Sequence, residues 1–196
     1  MIRQLKPALT LFVLLTLLTG VLYPLVVTGV AQVIFPIRAK GNLIENNGEL
    51  LGSQLIGQNF IDPEYFWGRP SATGGSPYNA FDPATLTGSS GSNLGPLSQT
   101  LVGTIQQRVD ALHAADPGNT LPIPVDLVTA SASGLDPDIS MEAATYQIPR
   151  IARLRGISEA ALRILVDRYT TGRQFGVLGE PRANVLLLNL ALNEVK

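Results

Sequence analysis

Residues 7 to 37 carry no charged side chain, and Ala8 to Phe35 is almost entirely apolar. At about 1.5 Å per helical residue the apolar run reaches about 40 Å, against a hydrocarbon core of about 30 Å. It predicts one tilted membrane-spanning helix over 8–35, with 1–7 as a short tail and 36–196 as a domain held beside a bilayer. A signal peptide is the competing reading, because Arg3 and Lys6 precede the run and Gly29-Val30-Ala31 offers small side chains for cleavage. The run is much longer than the roughly 7–15 residue core of such a signal. Pro24 also sits inside it, as in kinked membrane helices. A retained anchor is the preferred reading. Arg3 and Lys6 at one end nearly balance Arg38 and Lys40 at the other. The short basic N-terminus is expected to stay in the cytoplasm, placing the large domain outside.

Thr16, Gly20, Pro24, Thr28 and Gln32 recur every four residues. On a helix they form a slowly drifting stripe of small or polar side chains. Such stripes allow close helix approach and interhelical hydrogen bonds. The stripe is therefore expected to dock on another membrane helix, with chance placement as the alternative.

The chain has no cysteine and one histidine, His113. Disulfides, thiol catalysis and zinc–thiolate sites are excluded, and neither a histidine metal cluster nor a Ser-His-Asp triad is expected. The net charge of −1 gives no general argument for nucleic acid. The charge is nevertheless segregated. Gly41 to Pro149 holds only Arg69 and Arg108 against eleven acids, whereas Arg150 to Arg182 holds seven arginines against three acids. Two differently charged solvated faces explain this simply; docking of each sign on a different partner is the sharper reading.

Beyond the anchor, Asn46-Asn47-Gly48 predicts a hairpin between two short strands over 42–55. Residues 57–96 are rich in Gly, Pro, Ser and Asn and carry six aromatics. A stretch this long is expected to be an ordered loop pinned by those aromatics. Leu97, Leu101, Val102, Ile105, Val109 and Leu112 follow helical spacing up to Asp116-Pro117-Gly118, with His113 on the surface. Val125 to Thr129 reads as a short buried strand. Ser140 can cap a helix running to Arg155, kinked or limited by Pro149, and Ser158 begins another. Asn184 caps a closing helix, with a buried strand as the alternative. The sum is a mixed α/β (α+β) domain with a small sheet.

No phosphate-binding G-x-x-x-x-G-K-[ST] loop, Asp-Lys-Thr-Gly phosphorylation sequence or Thr-Val-Gly-Tyr-Gly filter is present. Three polar segments stand out: 57–73, 88–96 and 128–137. Asp62 with Glu64, or Asp136 with Asp138, offers an acid/base pair, but carboxylates in Asp-Pro contexts more often form turns and caps. The Ser- and Gly-rich third segment could present backbone N–H groups to a phosphate; a plain turn is the simpler reading.

With the anchor, these segments resemble the C subunit of the bacterial Kdp potassium-transporting ATPase over nearly the whole chain. The resemblance is carried by GSQLIGQNF, YFWGRPSAT, Tyr78-Asn79, GSNLGP, PVDLVTASASGLDPDIS, YQIPRIARLRG and NVLLLNLAL. Met141 departs from the proline expected after Ser140. The resemblance implies a non-catalytic accessory subunit of a high-affinity potassium uptake pump, needed for its assembly and activity. It implies one membrane helix and an extracytoplasmic domain at a bacterial inner membrane. The implied partners are a channel-like potassium-binding subunit, a P-type ATPase subunit, a small single-helix subunit and membrane lipid. The complex, not this chain, would use potassium and ATP with magnesium. The family is also described as raising the ATP affinity of the catalytic subunit. An outward domain cannot touch cytoplasmic ATP, so either such an effect travels through the membrane helices, which is the preferred reading, or the orientation is the reverse.

The matching segments nominate Phe60, Gly68, Arg69, Pro70, Ser71, Tyr78, Asn79, Ser92, Asn93, Leu94, Asp126, Thr129, Ser131, Ser133, Gly134 and Asp136 as interaction positions. Gly68, Pro70 and Gly134 serve equally well as turn formers, and Arg69 and Asp136 could pair internally. The alternative function is a membrane-anchored binding or hydrolytic domain with no pump partner.

Overall fold

The uncharged run is helical without a break up to Ile34: α1 (Ile2–Leu17), a π turn (Leu18–Leu22) and α2 (Tyr23–Ile34). The computed structural model describes residues 2–46 and 48–195. The span Arg3–Ile34 is long and apolar enough to cross a membrane. Pro24 explains the π turn. It lacks an N–H, and its ring crowds the carbonyl four residues back, that of Gly20. The backbone widens there, and the N–H of Tyr23 reaches the carbonyl of Leu18, five residues earlier. A four-residue spacing overshoots a 3.6-residue turn. The wider turn takes up part of that drift between Gly20 and Pro24.

The chain divides into two compact units, 1–53 and 54–196. The first continues through α3 (Pro36–Ala39), which has proline at its first position, where the missing N–H costs nothing. β1 (Leu43–Asn46) then pairs antiparallel with β2 (Glu49–Ser53), with a bulge between Ile44 and Glu45. The predicted hairpin is present. Gly48 supplies the positive φ that its turn needs, while Asn47 lies outside the described residues.

In the second unit, residues 57–96 have little regular structure beyond a two-residue ladder of β3 (Phe81–Asp82) with β4 (Thr87–Gly88). Phe66 and Trp67 are buried, and Phe60 and Tyr65 pack on the core. Phe81 is 60% exposed, so not every aromatic pins this loop. α4 (Gln99–Ala115) is capped by Ser98 and stops before Asp116-Pro117; His113 is exposed in its last turn. Of its predicted apolar face only Leu112 is buried, and Leu97 is 92% exposed.

The expected strand at 125–129 is instead a 3-10 turn (Val125–Leu127). Leu127 is buried, and the carboxylate of Asp126 takes the N–H and hydroxyl of Ser140 at 2.7 and 3.1 Å. A strand would point those two side chains to opposite faces. β5 (Asp138–Ser140) leads straight into α5 (Met141–Arg155), where Ser140 Oγ accepts from the N–H of Ala143 at 3.0 Å. Met141 therefore does not disturb the helix start, and the helix continues through Pro149 to a left-handed Gly156. α6 (Glu159–Arg168) starts at the Ser158 cap. β6 (Thr170–Thr171) and β7 (Arg182–Asn184) follow, then α7 (Val185–Leu192) capped by Asn184.

The largest sheet has the order β5-β7-β6, all antiparallel, with Ile139 opposite Ala183 and both buried. Among the described residues there are thus three small sheets: the expected β1–β2 hairpin, the β3–β4 ladder and this one. The core lies between α5, α6, α7 and this sheet, with Phe66, Trp67, Leu112 and Leu127 entering from the loops and α4.

Candidate functional site

The three polar segments converge in the second unit and bond chiefly to one another. Arg69 Nη1 meets Asp136 Oδ2 at 3.1 Å, the internal pairing open in the sequence. Ser71 Oγ donates to the carbonyl of Gly134 at 2.6 Å and accepts from the N–H of Tyr78 at 2.9 Å. Tyr78 Oη donates to the carbonyl of Arg69 at 2.5 Å, and burial pushes the phenol up to about 12. Asn79 N–H donates to Thr73 Oγ1 at 3.1 Å. Pro70 contributes its carbonyl to the N–H of Ser131, and Ser133 its carbonyl to the N–H of Ser90.

Three glycines make this close approach possible. A Cβ on Gly57 would lie 2.3 Å from a Tyr78 ring carbon and 2.6 Å from the Asp136 carbonyl oxygen. Gly134 combines a φ of +69° with a Cβ position 2.7 Å from the Ser90 carbonyl oxygen. Gly68 faces the Tyr78 hydroxyl in the same way. Phe60 stacks at a tilt on Tyr65, 5.8 Å between centroids. Thr129 bonds the Val125 carbonyl at 2.8 Å. Ser92, Asn93 and Leu94 are exposed.

The candidate acid/base pairs have other employment. Asp62 accepts the N–H of Glu64 at 3.0 Å, as a turn former. Asp136 holds Arg69 and the N–H of Asp138; Asp138 holds Arg182 at 2.8 Å and Asn184 at 3.3 Å. Burial nevertheless raises the Asp138 carboxyl above its ordinary range, more than the Arg182 contact lowers it. A cleft of about 500 Å³ lies here, lined by Arg69, Asp126, Thr129, Asp136, Asp138 and Arg182 among others. With Glu180, its four carboxylates outnumber two arginines, a poor match for a triphosphate. The Ser/Gly-rich segment is no better suited. The N–H groups of Ser131, Gly134 and Leu135 are donated to Pro70 O, Ser131 Oγ and Ser133 Oγ, which takes them away from any phosphate. Among the described residues no group of three or more His, Cys, Asp or Glu is placed to hold a metal ion.

The family model described as "K+-transporting ATPase, c chain" matches residues 5–194. The chain belongs to the KdpC family. It is 60% identical over 191 residues to the potassium-transporting ATPase KdpC subunit of Dechloromonas aromatica, covering 97% of both chains. The KdpC subunit of Methylococcus capsulatus is 58% identical over 196 residues and all of both chains. That of Herpetosiphon aurantiacus is 57% identical over 191 residues, covering 97% of this chain and 96% of its own.

The chain holds its motif segments with residues that sequence reasoning missed. The segment at Phe66-Trp67 is buried and has no strand partner among the described residues, so its backbone needs other bonds. Asn189 on α7 supplies them to Phe66, accepting its N–H and donating to its carbonyl, both at 2.9 Å. Gln147 on α5 does the same for Trp67 at 2.8 and 3.1 Å. Arg150 donates to the carbonyls of Pro63 and Tyr65 and to Gln147 Oε1. Burial lowers its guanidinium to about 10. Arg108 and Arg150 both lie over the Trp67 ring, 4.8 and 4.9 Å from its centroid. One signal was available. Asn189 is the lone polar residue within Val185–Leu192, and a polar residue in such an apolar helix has a buried partner to satisfy.

In the first unit, every stripe position (Thr16, Gly20, Pro24, Thr28 and Gln32) is exposed, and a Cβ on Gly20 would meet nothing within 4 Å.

Proposed function

We propose that this chain is a non-catalytic accessory subunit of an ATP-driven potassium uptake pump, assembled through its N-terminal helix. The observation that carries the reading is a family match over 5–194 on a chain whose motif residues bond inward to one another. Side chains spent on mutual support suit a rigid body that partners recognise by shape. In this reading the helix spans a bacterial inner membrane once, with the N-terminus cytoplasmic and 36–196 outside. Its stripe packs against membrane helices of the channel-like, P-type catalytic or small single-helix subunits. Potassium and ATP with magnesium are handled by those partners.

Any rise in the ATP affinity of the catalytic subunit then acts through the membrane helices. The internally bonded N–H groups of Ser131, Gly134 and Leu135 and the acid-rich cleft support this over direct nucleotide contact. The test is to label single cysteines placed at Gln4 and at Phe175, which is 85% exposed, in intact cells with a membrane-impermeant thiol reagent. The reading requires labelling at Phe175→Cys and not at Gln4→Cys. The reverse pattern would refute the orientation and reopen direct ATP contact.

A further inference from the structure

Arg69, Arg108 and Arg150 gather around the Trp67 segment, yet Asp136 is the only carboxylate that forms an ion pair with any of them among the described residues. Arg108 is half-buried and bonds two neutral carbonyls, Leu127 O through Nε and Gly68 O through Nη2, both at 3.0 Å. Carbonyls satisfy its donors without neutralising its charge, and burial lowers its pKa from the ordinary arginine value. Arg69 has its own gap: its Nε is buried with no hydrogen-bond partner among the described residues. A buried unpaired donor on a cation is costly unless something accepts from it.

Both arginines line one partly enclosed cavity of about 180 Å³, together with Ser71, Tyr78, Gln58 and Asn59. The volume is below the roughly 300–1,000 Å³ of pockets for drug-sized ligands. At about 30 Å³ per water it has room for about six waters, or for one tetrahedral ion with a few.

We propose that this cavity binds a single small oxyanion of the phosphate or sulfate type, held by Arg69 and Arg108. The anion supplies the counter-charge that Arg108 lacks, beside the second guanidinium of Arg69. Charge-assisted hydrogen bonds of this kind are about twice as strong as neutral ones. The bound anion ties α4 to the Gly68-Arg69-Pro70 turn. Asn59 is exposed and marks the rim.

The full chain in mild detergent is titrated with potassium phosphate and, separately, potassium sulfate, against potassium chloride at matched ionic strength. Calorimetry gives the affinity. Fluorescence of Trp67, the only tryptophan, gives the thermal midpoint. The expected result is one saturable site for phosphate or sulfate, and a midpoint that rises with the logarithm of anion concentration but not with chloride. Arg108→Gln is expected to weaken binding at least tenfold. Asn59→Asp puts a carboxylate on the exposed rim, where it disturbs no packed group, and is expected to weaken binding by a similar factor through repulsion. Absence of saturable binding of both anions to the natural chain overturns the proposal. So does unchanged affinity in Asn59→Asp, whether or not Arg108→Gln folds.

Discussion

Replacing Gln147 with leucine removes the amide that brackets Trp67. Four buried groups lose a partner: the Trp67 N–H at 2.8 Å, the Trp67 carbonyl at 3.1 Å, the Ala143 carbonyl at 3.2 Å and Arg150 Nη2 at 2.7 Å. A buried polar group left unsatisfied costs about 1–3 kcal/mol, and more when it is charged. Arg150 keeps its bonds to Pro63 and Tyr65, which limits the last loss. The expected destabilisation is about 3–7 kcal/mol, against a total of about 5–15 kcal/mol for a typical domain. Gln147→Glu is the control. It keeps an acceptor for Trp67 and turns the Arg150 contact into an ion pair, losing the donor to the Trp67 and Ala143 carbonyls. It should cost about half as much or less. Denaturant unfolding of the full chain in detergent, followed by Trp67 fluorescence, reports the bracketed residue directly. A loss below about 1 kcal/mol for Gln147→Leu would refute the claim that side-chain amides stand in for a strand partner.

Three further expectations follow from the same geometry. Gly57→Ala forces a Cβ to 2.3 Å from the Tyr78 ring and 2.6 Å from a backbone oxygen; overpacking of this kind should cost about 1–3 kcal/mol in the same assay. The Tyr78 phenol is raised by burial to about 12. Its stabilisation is therefore intact below pH 10 and is lost between about pH 10 and 12, as the unfolded phenol ionises first. Tyr78→Phe should show a shallower loss of stability over that window than the natural chain. Gly20→Leu should leave the isolated chain as stable as before, since nothing lies within 4 Å of its Cβ position. It should still reduce co-purification of the other pump subunits several-fold, whereas a mere tether would tolerate it.

Much of the helical framework was legible because caps are local. Ser140, Ser158 and Asn184 each accept the N–H three residues on, and each marks a helix start where the sequence places it. The hairpin around Gly48 was legible for the same reason. Val125–Leu127 was not. A short apolar run fits a strand and a turn equally well, and only the Asp126–Ser140 contact, made fourteen residues away, decides. The Arg69–Asp136 pair was legible as a possibility, although the two residues lie 67 positions apart. The bracketing by Gln147 and Asn189 spans 80 and 123 positions and leaves no local trace beyond a polar residue on an apolar helix. Most of α4's predicted apolar face is only half-buried or exposed, because periodicity reports amphipathic character and not what covers it.

The central claim is that this chain serves a potassium pump without touching its nucleotide. It is tested most directly by affinity purification of the tagged full chain from its own membranes in mild detergent, with potassium-stimulated ATPase activity and ATP binding measured on the product. The account predicts co-purifying pump subunits, potassium-stimulated activity that falls when this chain is omitted, and no ATP binding by this chain alone. A chain that purifies alone and stably folded, or that binds ATP by itself, would contradict it.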